Sequence, residues 1–178
     1  MGKENPDEGE ASIISGMAEA AMHMYLTAIE ALPDDNNGEF RPRVEVIRVS
    51  LRKLRKTLSE AATRRRLTPR VMLALSEARR CYDELMERAA SAPAATLGQQ
   101  LYVARLHAKL TAQETANGAG LNVDLLNDLE AGEIPTEDEA VKVKSLIEAL
   151  GNHGGFLSNG HGSGRDGLAA QAVEESTA

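Results

Sequence analysis

The chain has 178 residues and a formal net charge of −7, a size that fits one ordinary domain or two small helical ones and excludes a large multidomain enzyme. Hydrophobic residues make up 42% of the sequence, aromatic residues only 3%, and tryptophan is absent. Because the apolar content is mostly alanine, leucine, valine, isoleucine and methionine, the composition favours an all-α fold over a sheet-rich core.

Charge is strongly segregated along the chain. Residues 1–40 hold one lysine and nine acidic residues, whereas residues 41–80 hold thirteen arginines and lysines and three glutamates. Residues 97–150 are acidic again, with four basic and nine acidic residues. A local basic stripe of this kind can neutralise phosphates or pair with acidic segments of the same chain.

The sequence predicts a cytoplasmic protein without membrane contact. Its single cysteine, Cys81, cannot form an internal disulfide, and the acidic N-terminus lacks the basic patch and apolar run of a secretory signal. The most apolar stretch, residues 13–32, contains charged residues that disfavour a membrane span.

The first predicted helix follows residues 1–11, which we expect to be disordered. Ser12 is a candidate N-cap, and apolar residues then recur at helical spacing from Ile13 through Met17 and Met24 to Leu32. The turn-forming residues 33–38 end this helix.

Two further predicted helices carry heptad-like apolar seams. The first follows Pro42 and bears Val44, Ile47, Leu51, Leu54, Leu58 and Ala61. The second begins at Thr68-Pro69 and bears Val71, Leu75, Ala78, Tyr82, Leu85 and Ala89. Together the seams predict a helical hairpin, which must pack on the first helix, on a second copy of the chain, or on both. We expect residues 12–90 to form a helical region that self-associates into a homodimer.

Residues 91–96 are small, include Pro93 and are interpreted as a linker. Residues 97–150 then contain several short helices separated by capping signals. Thr111 and Glu114 form a predicted capping box, Gly120 breaks the helix, and Asn122 caps another that stops at Gly132. A short helix, a tight turn and a second short helix, as predicted within residues 97–150, are the plan of a helix-turn-helix unit. Residues 151–178 are polar and glycine-rich, and we expect a disordered tail.

Residues 97–150 resemble the Cro/C1-type (XRE-like, lambda-repressor-like) helix-turn-helix domains. The residues that carry the resemblance are Leu101, Arg105, Leu110, Thr111, Gln113, Glu114, Ala116, Gly120, Leu121, Asn122, Leu126, Leu129, Glu130, Ala131, Gly132, Pro135 and the closing 146–150. The resemblance implies a bacterial or phage origin. It also implies that the base- and phosphate-facing positions fall on Ala112, Gln113, Asn122, Val123, Asp124, Asn127 and Asp128. Two of these are acidic and would face DNA with like charge.

The basic hairpin offers the charge that this surface lacks. Arg48, Arg52, Arg55 and Lys56 lie at helical spacing, and Arg64, Arg65 and Arg66 lie at the predicted bend. One interpretation is a phosphate-binding surface. The other is that these cations pair with Glu19, Glu30, Asp34, Asp35 and the acidic 97–150 region.

No catalytic constellation is present in the sequence. There is no glycine-rich phosphate loop, no nucleophile elbow and no histidine spacing typical of a metal site, so we expect neither enzymatic activity, nor a metal, nor a cofactor. The sequence favours a regulator or chromosome-associated protein that binds duplex DNA as a dimer. The alternative is a helical interaction or scaffold protein whose acidic helix-turn-helix domain contacts a protein partner instead of DNA.

Overall fold

The computed structural model describes residues 6–64 and 69–158. Within these ranges the chain forms seven helices and no strand, which confirms the all-α class. The helices are α1 (Pro6–Glu30), α2 (Phe40–Arg64), α3 (Pro69–Ser91), α4 (Leu97–His107), α5 (Ala112–Ala119), α6 (Val123–Ala131) and α7 (Glu137–Ser158).

Helices α1, α2 and α3 pack together around one apolar cluster, which we call the N-terminal cluster. The seam predicted for α3 is buried throughout, and that of α2 is buried at Val44, Ile47, Leu51 and Leu58, with Leu54 and Ala61 half-buried. The two seams therefore meet as the heptad spacing predicts. Tyr102 of α4 also belongs to this cluster, so α4 is packed onto the hairpin.

The prediction for α1 was wrong in two respects. The helix begins at Pro6, so Ser12 is not its N-cap but an internal residue whose carbonyl accepts a hydrogen bond from Ser15 Oγ. A proline followed by acidic residues is itself a typical helix start, and this signal was overlooked in the segment expected to be disordered. The buried face carries Ala18 and Met22, whereas the predicted apolar residues Ile13, Met17 and Met24 are 63–70% exposed.

Helices α4 to α7 surround a second, smaller cluster, which we call the C-terminal cluster. It contains Leu101, Ala116, Leu126, Leu129 and Val143, all buried. Helix α4 packs against α3, α6 and α7, and α5 packs against α6. The approach of α4 to α6 is close at Gly98, where an added Cβ would lie 1.9 Å from the carbonyl oxygen of Leu129.

Local capping fixes the ends of the short helices. Thr111 and Glu114 form the predicted capping box, and Asn122 Oδ1 accepts from the amide of Asp124 at 2.9 Å. Gly120 ends α5 with φ +65° and Gly132 ends α6 with φ +104°, conformations that favour glycine. The sequence did not predict the capping box of Thr96 and Gln99 at the start of α4.

The last helix is longer than predicted. Residues 151–158, expected to belong to a disordered tail, continue α7 to Ser158. Extending an existing helix costs far less than nucleating one, so the helix continues through its glycines. Other parts of these predictions lie outside the described residues: residues 1–5, the rest of the tail, and Thr68, where the third helix was predicted to begin. None of the described helices is long and apolar enough to span a membrane.

Candidate nucleic-acid interface

The predicted DNA-facing residues lie on the outer surface of α5 and α6 and at the cap between them. Five of the seven are exposed: Gln113, Asn122, Asp124, Asn127 and Asp128. Ala112 and Val123 are half-buried. Gln113 Nε2 donates to Asn117 Oδ1 at 2.9 Å along α5. The inner face of the pair instead carries Ala116, Leu126 and Leu129 into the C-terminal cluster. One face of the pair is therefore free for a ligand.

This outer surface carries two unneutralised carboxylates. Asp124 lies in the first turn of α6, where its negative charge interacts favourably with the helix dipole and stabilises the helix. Among the described residues no basic side chain forms an ion pair with Asp124 or Asp128. A polyanion that approaches α6 must therefore gain its electrostatic attraction from neighbouring cations.

Arg48 fastens the end of α6 to α2. Its guanidinium donates to the carbonyl oxygens of Glu130 and Ala131, both at 2.7 Å, and forms a two-point ion pair with Glu45. The residue is only 2% exposed. The interpretation of Arg48 as part of a phosphate surface was therefore wrong, because the last turn of α6 covers this arginine and uses its donors.

Arg105 provides a second attachment for α6, from α4. Its Nε and Nη2 atoms donate to the two carboxylate oxygens of Glu130 at 2.5 and 2.7 Å, and Nη1 donates to the Leu110 carbonyl at 3.3 Å. Both members of the ion pair are largely buried. A bidentate arginine–carboxylate pair fixes orientation as well as distance, so α6 is held rigidly relative to α4.

A cleft of about 380 Å³ lies where α2, α3, α4 and α6 meet. We call it the cationic cleft because its lining includes five basic side chains and one carboxylate, that of Glu130. The basic residues are Arg52, Arg55, Lys56, Arg79 and Arg105. Asn127, one of the predicted DNA-facing residues, lines the same cleft. The exposed face of α6 and the cationic cleft therefore adjoin.

Aromatic rings position the inner guanidinium groups. The Arg55 guanidinium lies 4.4 Å from the centre of the Tyr82 ring, and that of Arg105 lies 4.7 Å from the centre of the Tyr102 ring. The two rings meet edge to face at 5.4 Å. The Tyr102 hydroxyl donates to Asp83 at 2.5 Å, and burial together with this hydrogen bond raises the pKa of Tyr102. The hydroxyl therefore remains a neutral donor.

In the described part of the chain, none of the other basic residues named for the hairpin forms an ion pair with Glu19, Glu30, Asp34 or Asp35. Arg52 and Lys56 are exposed on the cleft, as a phosphate-binding surface requires. Asp35 is instead paired within the chain, at 3.0 Å from Arg88, a residue that the sequence did not single out. Arg64 is the last residue of α2, and Arg65 and Arg66 lie outside the described residues.

Sequence reasoning missed Arg79, Tyr82 and Tyr102 as members of this site. A signal was present, since Leu75, Arg79 and Tyr82 follow helical spacing, as do Arg52 and Lys56. Spacing identifies the residues that share a helix face. It does not identify the neighbouring helix, so the meeting of these faces with α4 and α6 was not predictable.

In the described part of the chain we also searched for a metal site and a reactive thiol. No group of three or more His, Cys, Asp or Glu side chains there could hold a metal ion. Cys81 is 2% exposed in the N-terminal cluster, and burial raises the pKa of its thiol. This environment is that of a packing residue and disfavours a reactive thiolate.

Comparison with known proteins finds relatives along most of the chain. The family MSMEG_6518_N, described as an N-terminal domain, matches residues 25–96, which end immediately before α4. An uncharacterized protein of Mycolicibacterium smegmatis is 55% identical over 128 residues, which cover 72% of this chain and 99% of that protein. No solved structure matches. At this identity and coverage, the chain belongs to the family of the Mycolicibacterium smegmatis protein.

Proposed function

We propose that this protein binds duplex DNA as a homodimer and acts as a transcriptional regulator or chromosome-associated protein. Helices α5 and α6 form the helix-turn-helix unit in this proposal. The observation that carries it is the position of α6, which is fixed at its C-terminal end by Arg48 and Arg105 while its opposite face lies exposed beside the cationic cleft.

The contact between Arg105 and Glu130 supports the family resemblance. Both residues belong to the set that suggested a Cro/C1-type domain, and they lie 25 positions apart in the sequence. Their bidentate pair joins the helix before the proposed unit to the end of α6. Rigid placement of a recognition helix is what reading of a DNA groove requires.

The electrostatics of the surface are consistent with a divided interface. Asp124 and Asp128 repel phosphates, so α6 alone is a poor DNA ligand. Arg52, Lys56 and Arg79 are exposed at the adjoining cleft and supply cations for the phosphates. In this arrangement α6 contacts the bases, and α2 and α3 neutralise the backbone.

The exposed face of α1 supports the homodimer. Ile13, Met17 and Met24 are 63–70% exposed, and Val46 of α2, at 68%, lines an apolar groove of about 430 Å³ between α1 and α2. The N-terminal forty residues are strongly acidic and the next forty strongly basic. We infer that α1 of one copy lies against the α1–α2 groove of the other, where apolar contact and charge complementarity act together.

The dimer has its own test. Met17→Glu combined with Met24→Glu places charge in the inferred interface. We expect sedimentation equilibrium to give a dimer dissociation constant at least tenfold higher than that of the unchanged chain. Val141→Glu is the control, because Val141 is 65% exposed on α7, a helix that packs against α4. Equal effects of the two changes, or a wild-type monomer, would exclude this interface.

DNA binding is tested by fluorescence anisotropy with the full chain and a random duplex. We expect binding at low salt and a steep loss of affinity near about 200 mM salt, the signature of several phosphate contacts. Arg52→Gln with Lys56→Gln should weaken binding and reduce the salt slope. Lys53→Gln is the control for the loss of a charge, since Lys53 is exposed on the same helix but does not line the cleft.

The second candidate function is protein interaction without DNA binding. The acidic face at Asp124 and Asp128 and the apolar face of α1 both favour it. Absence of any anisotropy change at low salt, in a protein that still dimerises, would select this candidate. A search for a protein partner of α5 and α6 would then follow.

A further inference from the structure

The cationic cleft has a recessed part that DNA binding does not explain. Arg52, Lys56 and Arg79 are exposed and form what we call the rim, which a duplex can reach. Arg55 and Arg105 are half-buried beside the buried rings of Tyr82 and Tyr102, and these four residues form what we call the floor. A double helix is too broad to enter a space of about 380 Å³, so the floor is accessible only to a small ligand.

The charges of the cleft are out of balance. Glu130 is the one carboxylate in the lining, and both of its oxygens already accept hydrogen bonds from Arg105. Within the described ranges no carboxylate forms an ion pair with Arg52, Arg55, Lys56 or Arg79. Cations held around a shared void repel one another, and a bound anion removes this repulsion.

The floor is also preorganised. Stacking on Tyr82 holds the Arg55 guanidinium, whose Nη1 lies 3.5 Å from the Tyr102 hydroxyl, and Arg105 is fixed by Glu130. A guanidinium held in one orientation loses little entropy when it binds an oxyanion. Because these guanidiniums cover a face of each tyrosine ring, the cleft favours recognition of charge over stacking of a nucleobase.

We propose that the cationic cleft binds a compact phosphorylated anion with at least two negative charges. The Arg55 guanidinium contacts the anion from within, beside Arg105, which Glu130 holds in place, and the rim residues contact the anion from solvent. The Ser59 hydroxyl and the Asn127 amide also line the cleft and add neutral hydrogen-bond donors. Since Asn127 belongs to α6, such a ligand bridges the hairpin and the proposed recognition helix. The binding itself does not depend on the DNA-binding proposal.

The test is isothermal titration calorimetry of the full chain with inorganic pyrophosphate, with sodium sulfate at equal ionic strength as the reference anion. We expect saturable binding of one pyrophosphate per chain, at least tenfold tighter than sulfate. Arg52→Gln with Arg79→Gln should weaken pyrophosphate binding at least tenfold. Lys53→Gln, outside the cleft on the same helix, should change it less than twofold.

Arg55→Lys tests the floor separately because it keeps the charge and loses the planar group. We expect at least a fivefold loss of affinity, with circular dichroism verifying that the variant is folded. Binding no tighter than that of sulfate, or equal losses for Lys53→Gln and the rim variant, would overturn the proposal.

The same variants, titrated with duplex DNA, separate the two sources of phosphate. If pyrophosphate binds and DNA does not, the cleft proposal stands and the proposed function fails. If pyrophosphate does not bind but Arg52→Gln with Arg79→Gln weakens DNA binding, the cleft serves only the DNA backbone and the small-ligand proposal is overturned.

Discussion

Helices α1–α3 and helices α4–α7 bury their apolar residues to very different extents. Of the described residues, eighteen are buried in the N-terminal cluster, including Tyr102 from α4, and five in the C-terminal cluster. A small cluster supplies little of the free energy that offsets chain entropy. The proposed DNA-binding helices therefore depend on polar attachments: Arg48 joins α6 to the larger region, and Arg105 joins α6 to α4, which itself packs on α3. The larger region serves as a scaffold for the smaller one.

The close contact between α4 and α6 is the most sensitive point of the smaller region. Gly98→Ala would place a methyl group 1.9 Å from the Leu129 carbonyl oxygen, which is backbone and cannot move aside alone. We expect a loss of about 3 kcal/mol in the free energy of unfolding, measured by urea denaturation.

The matched control is Gly118→Ala in α5, where nothing lies within 4 Å of the added Cβ. Alanine in a helix interior should stabilise the protein by about 0.5 to 1 kcal/mol. If both variants lost stability equally, the close packing of α4 on α6 would not be the cause.

The attachment by Arg48 is expected to have the next largest effect. Arg48→Met leaves the Glu130 and Ala131 carbonyls without their donors, and we expect a loss of about 2 kcal/mol. Glu45, its partner, is 46% exposed and can be hydrated, so the carboxylate adds little to this loss.

Native-state hydrogen exchange shows where the loss falls. Amides of α5 and α6 should lose more protection in Arg48→Met than those of α2 and α3. Lys53→Met, an exposed change on the same helix, is the control. A uniform loss of protection across both regions would contradict the dependence of the small region on the scaffold.

These contacts also explain which parts of the fold the sequence could predict. Caps arise from chemistry within a few residues, so Thr111, Asn122 and Gly132 were correctly assigned. The seams of α2 and α3 were predictable because each helix has one dominant apolar face. Helix α1 carries two apolar stripes, and periodicity alone does not determine which one packs against α3.

The site required long-range information. Arg48 and Arg52 are neighbours on one face of α2, yet only Arg48 is covered, by carbonyls 82 and 83 positions away in the sequence. Local spacing therefore predicted phosphate binding for both arginines, whereas in the folded chain only Arg52 is exposed. Four helices form the cationic cleft, so spacing within one helix could not predict it. The sequence nevertheless indicated Arg52, Arg55 and Lys56 as individual basic residues of a phosphate-binding surface.

The acidic surface of α6 gives a smaller expected effect, on binding and not on folding. Asp124→Asn with Asp128→Asn removes two like charges facing the phosphates in the proposed complex. We expect DNA affinity at low salt to rise by about 1 kcal/mol, roughly fivefold in Kd, by fluorescence anisotropy.

The control for this prediction is a pair of substitutions elsewhere in the chain that changes the net charge by the same amount. Glu77→Gln with Glu148→Gln alters exposed residues of α3 and α7. Equal gains in affinity from both pairs would indicate a response to total charge and argue against the docking of α6.

The smallest expected effect is a pH dependence of the capping boxes. Hydrogen bonds from the amide and hydroxyl of Thr111 lower the pKa of Glu114 below its ordinary value of 4.5, and those of Thr136 lower the pKa of Glu139 in the same way. A carboxyl whose pKa is lower in the folded state stabilises the protein above the unfolded value, and this contribution disappears as the pH falls through the folded pKa.

The melting temperature should therefore decline between about pH 5 and pH 3, and Glu114→Gln with Glu139→Gln should make that decline shallower. Glu133→Gln, at an exposed glutamate between α6 and α7, should leave the slope unchanged. The caps lie at the starts of α5 and α7, so the difference between the curves comes from the smaller region. An identical slope in the capping variant would mean that the scaffold alone governs acid stability.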